Sequence, residues 1–498
     1  MSPESTAPVR SGSGAASPSA PRLVRSVTII TFAKAWFLVA GYALYLGMTR
    51  MLGPGDFGLY AVVTSIISVI NNVLIAATLQ AVSRFTAASP DRAGSVLRTG
   101  LAVQSAVGLG LFAVLQVAAG LVATLLRDPR IEMPLRIAAA IVPAYAVYAV
   151  HVGFLNGGRR FARQASLDIS YSTLRLGFSL ALVAFGLGVP GAVGGFAAAT
   201  LVILVISTLL VRREPRPEGE FPLASFLRFG GWLAVLTLLA NLLLTADLWI
   251  VKRFSDPAIA NEQAGLFRAA LTLAQMLYQM LIPLALVLFP TLAHLGTSPD
   301  PAVAGPIVRG ALRYLTVTVI PGAALLAAAG TPLVTLLYGA AYTPGGAWLE
   351  FLAPAYAGWT IAYMLAVALS GAGEVRSGVV VLLVGVIGQV VAGVLLVPVA
   401  GPRGVALGDL IGTMAALATG LVFAGRRFGS IVTRTSLIHG ALLAAAFVAI
   451  VKLWPTPLWA LPIKLVVCAV GGAAFLLMRG ELRPPETQRA ATVSGVRA

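Results

Sequence analysis

Residues 27–80 read VTIITFAKAWFLVAGYALYLGMT, RMLGPGDF and GLYAVVTSIISVINNVLIAATLQ. The outer two pieces are apolar runs long enough to cross a bilayer, because a hydrocarbon core of about 30 Å needs about 20 helical residues at 1.5 Å each. The middle piece, with Arg50, Gly53, Pro54 and Asp56, is short, polar and rich in turn formers, so it returns the chain towards the side it came from. This predicts a helical hairpin through a membrane, and the rest of the chain repeats the pattern.

Reading outward, apolar stretches bounded by charge, Pro or Gly fall at 27–49, 58–80, 99–124, 134–155, 166–188, 190–211, 231–251, 264–292, 307–337, 347–371, 377–398, 402–424, 435–453 and 458–478. The composition agrees: 58% of the 498 residues are hydrophobic and only 11% charged, with a mean hydropathy of +0.91. A water-soluble globular protein carries about twice that charge. The sequence therefore predicts an all-α polytopic membrane protein with about 14 transmembrane helices. The lipid bilayer is its first partner.

The net charge of +17 raises a nucleic-acid partner only to exclude it, because the cations lie between apolar runs instead of on one basic face. With the N-terminus placed in the cytoplasm, 23 of the 35 Lys and Arg residues fall in the cytoplasmic segments and 10 in the opposite ones. Arg159, Arg160 and Arg163, then Arg212, Arg213 and Arg216, then Arg426, Arg427 and Arg434 weigh most. The positive-inside rule puts both termini in the cytoplasm. Arg22 and Arg25 before an apolar run imitate a signal peptide, but the run is too long for one and more spans follow.

The domain reading is a disordered cytoplasmic tail at 1–26, an N-terminal six-helix lobe at 27–211 and a cytoplasmic linker at 212–230. A C-terminal six-helix lobe at 231–424, two additional helices at 425–478 and a cytoplasmic tail at 479–498 complete it. No connection is long enough for a soluble catalytic domain, so no enzyme is expected. Cys468, the sole cysteine, excludes an internal disulfide, and His151, His294 and His439 are far apart, so neither a metal nor a cofactor is expected.

Internal echoes support the two lobes. Gly58-Leu59-Tyr60, opening the second span, recurs as Gly265-Leu266-Phe267 opening the eighth. Leu155-Asn156-Gly157 recurs as Leu369-Ser370-Gly371, and Gly191-Ala192-Val193-Gly194 with a terminal Arg212-Arg213 matches Gly401-Pro402-Arg403-Gly404 with Arg426-Arg427. Copies six spans apart share an orientation, which predicts a pseudo-two-fold axis along the membrane normal.

A polar side chain in hydrocarbon is costly unless paired or solvated, so polar stripes at helical spacing mark a lumen or a helix contact. Arg268, Thr272, Gln275 and Gln279 share one face of the eighth span; Asp168, Tyr171, Ser172, Arg175 and Ser179 do so on the fifth. Thr64, Ser68, Asn71 and Thr78 mark the second, where helix-to-helix hydrogen bonding is the stronger reading. Thr31, Lys34, Tyr45 and Thr49 mark the first. Arg175 is too deep to snorkel and needs a carboxylate, an anionic ligand or water, with Asp168 a partial partner. Lys34, Arg175, Arg268, Gln275 and Gln279 are the substrate-path candidates. Asp247 joins them, as a titratable or cation-binding group that couples transport to an ion gradient, as a gate that pairs with a cation of the opposite lobe, or as one half of an intrahelical ion pair with Lys252 or Arg253. His151, below Tyr145 and Tyr148, reads as a hydrogen-bonded packing residue, and Glu350 and Glu374 as solvated.

The segment Arg50-Met51-Leu52-Gly53-Pro54-Gly55-Asp56-Phe57-Gly58-Leu59-Tyr60-Ala61 resembles the corresponding connection in bacterial polysaccharide-repeat flippases of the Wzx type, within the multidrug/oligosaccharidyl-lipid/polysaccharide exporter superfamily. Asp247-Leu248, Gly265-Leu266-Phe267, Leu288-Phe289-Pro290, and Leu395 to Pro398 with Gly401 and Gly404 recur there in the same order. The resemblance spans residues 22–478. It implies a flippase that moves a polyprenyl-diphosphate-linked glycan from the cytoplasmic to the outer face of the bacterial cytoplasmic membrane. It also implies a cavity lined by spans one, two, seven and eight, a groove for the lipid tail at spans thirteen and fourteen, and a polysaccharide polymerase and chain-length regulator as partners. Lys34 and Arg268 match no family motif. A lipid II flippase of the MurJ type shares these features. A multidrug exporter of the MATE type is a weaker alternative, since cationic drugs favour an acidic cavity.

Overall fold

The computed structural model describes residues 20–212, 223–279, 281, 300–455 and 457–481. Among these the chain is helical with no strand. In chain order the helices are α1 (Ala20–Ala88), α2 (Ala93–Leu125), α3 (Glu132–Ala139), α4 (Ile141–Gly157), α5 (Phe161–Leu182), α6 (Gly188–Val211), α7 (Leu223–Leu243) and α8 (Ala246–Phe254). They continue with α9 (Ala260–Ala274), α10 (Met276–Gln279), α11 (Pro301–Ala328), α12 (Gly330–Tyr338), α13 (Leu349–Gly371), α14 (Val375–Phe428), α15 (Arg434–Leu453) and α16 (Leu461–Met478).

Among the described residues nine stretches are long and apolar enough to cross a membrane, or ten if the bent pair α7–α8 is one span. Two of the longest, α1 and α14, are each interrupted by non-helical glycine backbone, at Gly53 and Gly401. Each break leaves an apolar helix on both sides, as the hairpin reading of residues 27–80 expects. The eighth apolar stretch, 264–292, is described only through Gln279 and at Leu281, and the linker expected at 212–230 lies outside the described residues over 213–222. Of the expected tails, residues 1–19 and 482–498 lie outside them; Ala20 onward is helical.

The two lobes repeat each other at backbone level. Gly188, between α5 and α6, has φ 53° and ψ −142°; Gly401, at the corresponding break in α14, has φ 57° and ψ −143°. L-residues with a Cβ avoid this region, so glycine is what the turn requires. This register corrects the sequence echo by three residues, since Gly191, against the Leu182 backbone, corresponds to Gly404, against that of Leu396, and not to Gly401; the helices that leave the two turns are packed alike. A Cβ on Gly195 would lie 2.5 Å from the Ser179 backbone, and one on Gly408 2.5 Å from that of Gly393.

One continuous apolar core runs through both lobes. A satellite cluster, Val317, Leu443, Phe447, Cys468 and Leu476, seats α15 and α16 on α11. Beyond α16 the Glu481 carboxylate is buried, accepting from Ser436 at 3.0 Å and facing His439 Nδ1 at 2.7 Å and Arg313 Nε at 3.5 Å. The first residues of the expected 479–498 tail are therefore packed, held by a carboxylate with three polar partners.

Candidate functional site

The lobes meet most closely at the end of the bundle that carries Gly53. The polypeptide backbones at Gly58 and Gly265 touch, so that a Cβ on Gly58 would lie 1.8 Å from the Asn261 carbonyl oxygen. The Tyr342 hydroxyl donates to the Thr49 carbonyl (3.1 Å), and Arg50 donates to the Leu337 carbonyl (3.2 Å). Asp128, from the connection after α2, is buried between the lobes, where it accepts from Lys252 Nζ at 2.9 Å and from Asn261 Nδ2 at 2.5 Å. Burial pushes the Asp128 carboxyl up, but the Lys252, Asn261 and Arg130 hydrogen bonds and the Lys252 charge outweigh it and hold the group well below the usual carboxylate range.

Beneath this closure lies a cavity of about 220 Å³. Its walls are Tyr45 from the first span, Ser65, Ser68 and Asn72 from the second, Asn241 and Thr245 from the seventh, and Arg268, Gln275 and Gln279 from the eighth. Hydrogen bonds cross it between lobes: Asn72 Nδ2 to Asn241 Oδ1 at 2.7 Å, and Trp249 Nε1 to Ser65 Oγ at 2.8 Å.

Arg268 projects from α9 at the start of this cavity. One of its NH2 groups donates to the Tyr45 hydroxyl at 3.0 Å, its guanidinium lies 5.0 Å from the Tyr45 ring centre, and its Nε is buried without a partner. Arg175, from the other lobe, stacks on the Phe196 ring at 4.0 Å, and its Nε is likewise buried and unpartnered. Tyr45 and Tyr60 each interact electrostatically with both guanidinium groups. Two cations from different lobes thus converge on shared phenols, and among the described residues neither makes an ion pair.

Asp168 is not Arg175's partner. It pairs with Lys34 at 3.2 Å, leaving the arginine to the aromatic cluster. Lys34 and Asp168 line a separate cavity within the N-terminal lobe. Gln275 has a structural duty as well. The span containing α7 and α8 bends by 46° between Leu243 and Ala246, and the freed Leu244 carbonyl accepts from Gln275 Nε2 at 3.3 Å.

Asp247 sits at the start of α8, fully buried, and the intrahelical pairing with Lys252 does not form because Lys252 reaches Asp128. Its carboxyl instead faces that of Asp409 on α14, near Gln389, and Asp247 Oδ2 and both Asp409 carboxylate oxygens are buried without a hydrogen-bond partner. Asp409 and Gln389 were legible under the same rule as Asp247, as polar side chains isolated in apolar spans. Asp128, Lys252 and Asn261 carry no such signal, since they lie in or beside connections. His151 is buried and hydrogen-bonded to Ser207 at 2.9 Å. Glu350 is exposed, and Glu374 lies 3.3 Å from Arg427.

Residues 48–345 match the model of a family described as "Polysaccharide biosynthesis protein". No curated protein sequence matches the chain. Among solved structures the chain is similar to a lipid II flippase MurJ in an inward closed conformation, with TM-score 0.74 and 12% identity over 92% of this chain and 100% of that one. It is also similar to an inward-facing multidrug resistance MATE transporter, at TM-score 0.64 and 18% identity over 78% and 94%. A third likeness is to a multidrug/oligosaccharidyl-lipid/polysaccharide superfamily transporter from Pyrococcus furiosus described as having a binding pocket of reverse polarity, at TM-score 0.62 and 16% identity over 82% and 96%. At these identities the likenesses establish a common fold.

Proposed function

Because the chain belongs to the polysaccharide biosynthesis protein family, we propose that it is a flippase for a polyprenyl-diphosphate-linked oligosaccharide, working in the bacterial cytoplasmic membrane with both termini in the cytoplasm. The observation that carries this reading is the convergence of Arg175 and Arg268, from opposite lobes, on Tyr45 and Tyr60 beside a cavity lined by amides and hydroxyls. A diphosphate is a compact dianion that must shed water to enter a membrane. Two guanidinium groups without carboxylate partners offer it charge-assisted hydrogen bonds in exchange. The glycan's hydroxyls need donors and acceptors, which Asn72, Asn241, Gln275 and Gln279 supply, while the prenyl chain stays among lipid tails.

In this reading the Gly58–Gly265 contact is the outer gate, closed here, and the cavity takes its cargo from the cytoplasmic side. Outward opening separates Asp128 from Lys252 and Asn261. Asp247 and Asp409, two buried carboxyl groups that face each other inside apolar protein, hold a shared proton or a cation and so couple the lobe's movement to an ion gradient. Lys34 acts at the cytoplasmic approach. A polymerase and a chain-length regulator are the partners that would consume the translocated repeat.

The test is transbilayer movement of a short-chain polyprenyl-diphosphate oligosaccharide in proteoliposomes, read with a membrane-impermeant glycan-binding probe. Movement faster than in protein-free vesicles, and lost in Arg268→Ala, is expected. No movement for any of several glycans, with or without an imposed ion gradient, overturns the reading. Lipid II is run beside them because the MurJ likeness has the highest TM-score of the three: preference for lipid II would replace oligosaccharide repeat by peptidoglycan precursor as the cargo.

A further inference from the structure

The second cavity, inside the N-terminal lobe, measures about 230 Å³. That is below the 300–1,000 Å³ of pockets that take drug-sized ligands, and of the order of a single small ring. It has an aromatic side. The rings of Tyr145 and Tyr148 are stacked 5.4 Å apart and 30° from parallel, and Tyr171 backs both at 5.2 and 6.0 Å. Phe37 also lines the cavity, with its ring 6.4 Å from that of Tyr171.

Ile75, Leu79, Ala149 and Val152 extend the apolar lining, and Lys34, Asn72, Gln164 and Asp168 form a polar side. Asp168, oriented by Lys34 at 3.2 Å, stands beside Gln164, which is 8% exposed. Tyr148 is 4% exposed, and its hydroxyl is buried with no hydrogen-bond partner. A buried hydroxyl left unpaired is unfavourable, so one that lines a cavity is a group waiting for a ligand atom. The set combines a flat apolar face, a carboxylate acceptor, an amide that both donates and accepts, and a free phenol.

That combination matches one class of molecule. A sugar ring presents a face of C–H bonds, slightly positive, which suits the negative face of an aromatic ring, and an edge of hydroxyls that both donate and accept. A prenyl chain would leave Asp168 and Gln164 unmatched. A cationic drug would compete with Lys34 for a carboxylate already neutralised.

Resting on the flippase reading above, we propose that this cavity is a binding subsite for one sugar residue of the transported glycan. Tyr145 and Tyr148 carry its C–H face, and Asp168, Gln164 and the Tyr148 hydroxyl read its hydroxyl groups. Asn72 lines both this cavity and the interlobe cavity. It therefore stands at the junction between the sugar subsite and the Arg268 side, so a diphosphate and its attached sugar can occupy the two together.

The experiment uses the full chain in nanodiscs, with the methyl glycosides of glucose, galactose, N-acetylglucosamine and rhamnose as soluble probes, read by saturation-transfer NMR. Inorganic diphosphate, titrated by calorimetry, reports separately on the arginines. At least one glycoside is expected to bind, with affinity lowered roughly 2- to 10-fold by Tyr148→Phe, the range for one lost hydrogen bond. Asp168→Asn and Tyr145→Ala should weaken it further, with diphosphate binding unchanged in all three. Tyr148→Phe keeps the ring and its packing, so misfolding would not account for its effect. Absence of binding for every glycoside up to the solubility limit, or binding indifferent to Tyr148→Phe and Asp168→Asn, overturns the subsite. Sugar binding that depends on these side chains upholds it even if diphosphate fails to bind, a result that would count against the flippase reading instead.

Discussion

Gly58 and Gly265 are the same position in the two lobes, and they touch each other. A Cβ on Gly265 would lie 1.9 Å from the Pro54 carbonyl oxygen, as one on Gly58 would from that of Asn261 at 1.8 Å. Equivalent residues of a two-fold repeat can meet only near the axis, so this contact locates the axis at the closed end of the cavity.

Adding a single methyl group there should hold that end apart. With spin labels on the exposed positions Asp56 and Glu262, Gly58→Ala is expected to move the interlobe distance distribution to longer values. The native Cys468 is buried and will not compete for label. A distribution identical to that of the unaltered protein would refute the gate.

The ion pair between Lys252 and Asp128, with side chains 1% and 6% exposed, stabilises the same closure. Replacing Lys252 by Met leaves the buried Asp128 carboxylate with only Asn261 and the largely exposed Arg130, at a cost to the closed state below the about 3–5 kcal/mol of a fully uncompensated buried charge. Thermal unfolding in detergent should show a lower Tm for Lys252→Met and a recovery in the double variant with Asp128→Asn. Equal Tm values for the single and double variants would mean the charge is relieved by water.

Because the folded Asp128 carboxyl lies below the ordinary carboxylate value, the stability it contributes is complete above the unfolded value and is lost as pH falls towards the folded one. The Tm difference between the unaltered protein and Asp128→Asn should stay constant from pH 8 to about 5 and shrink only below about pH 4. A difference that fades between pH 8 and 6 would contradict the assignment.

Arg268→Ala should slow transport at least roughly tenfold, and Arg268→Lys should restore part of it, since a lysine keeps the charge but loses the forked geometry. Arg175→Ala is expected to do the same through the shared phenols. Initial rates in proteoliposomes decide it; full activity with both arginines removed would end their role as the anion site.

Asp409→Asn should remove the response of transport to an imposed proton or sodium gradient while the ungated rate persists. Asp247→Asn should match it, because the two carboxyl groups act as a pair. Rates that track the gradient in both variants would place coupling elsewhere.

Hydropathy is enough to find the described helices, though not to fix their number at 14, because in lipid every backbone polar group must be satisfied within the segment and only apolar helices do so. The echo of Gly58 in Gly265 was readable too, though not that they touch. What escaped was pairing between elements distant in sequence. Asp168 looked like Arg175's neighbour because helical spacing is visible along one chain, whereas Lys34 arrives from another helix. Lys252 looked like a partner for Asp247 for the same reason, and its reach to Asp128 depends on how two connections fold over each other.

The matched backbone of Gly188 and Gly401 gives the molecule an internal control. An identical substitution at each, Gly188→Ala and Gly401→Ala, imposes the same local strain on two copies of one turn. Differing transport defects would then rank the lobes by how far each must flex in a cycle, without a ligand or a second structure.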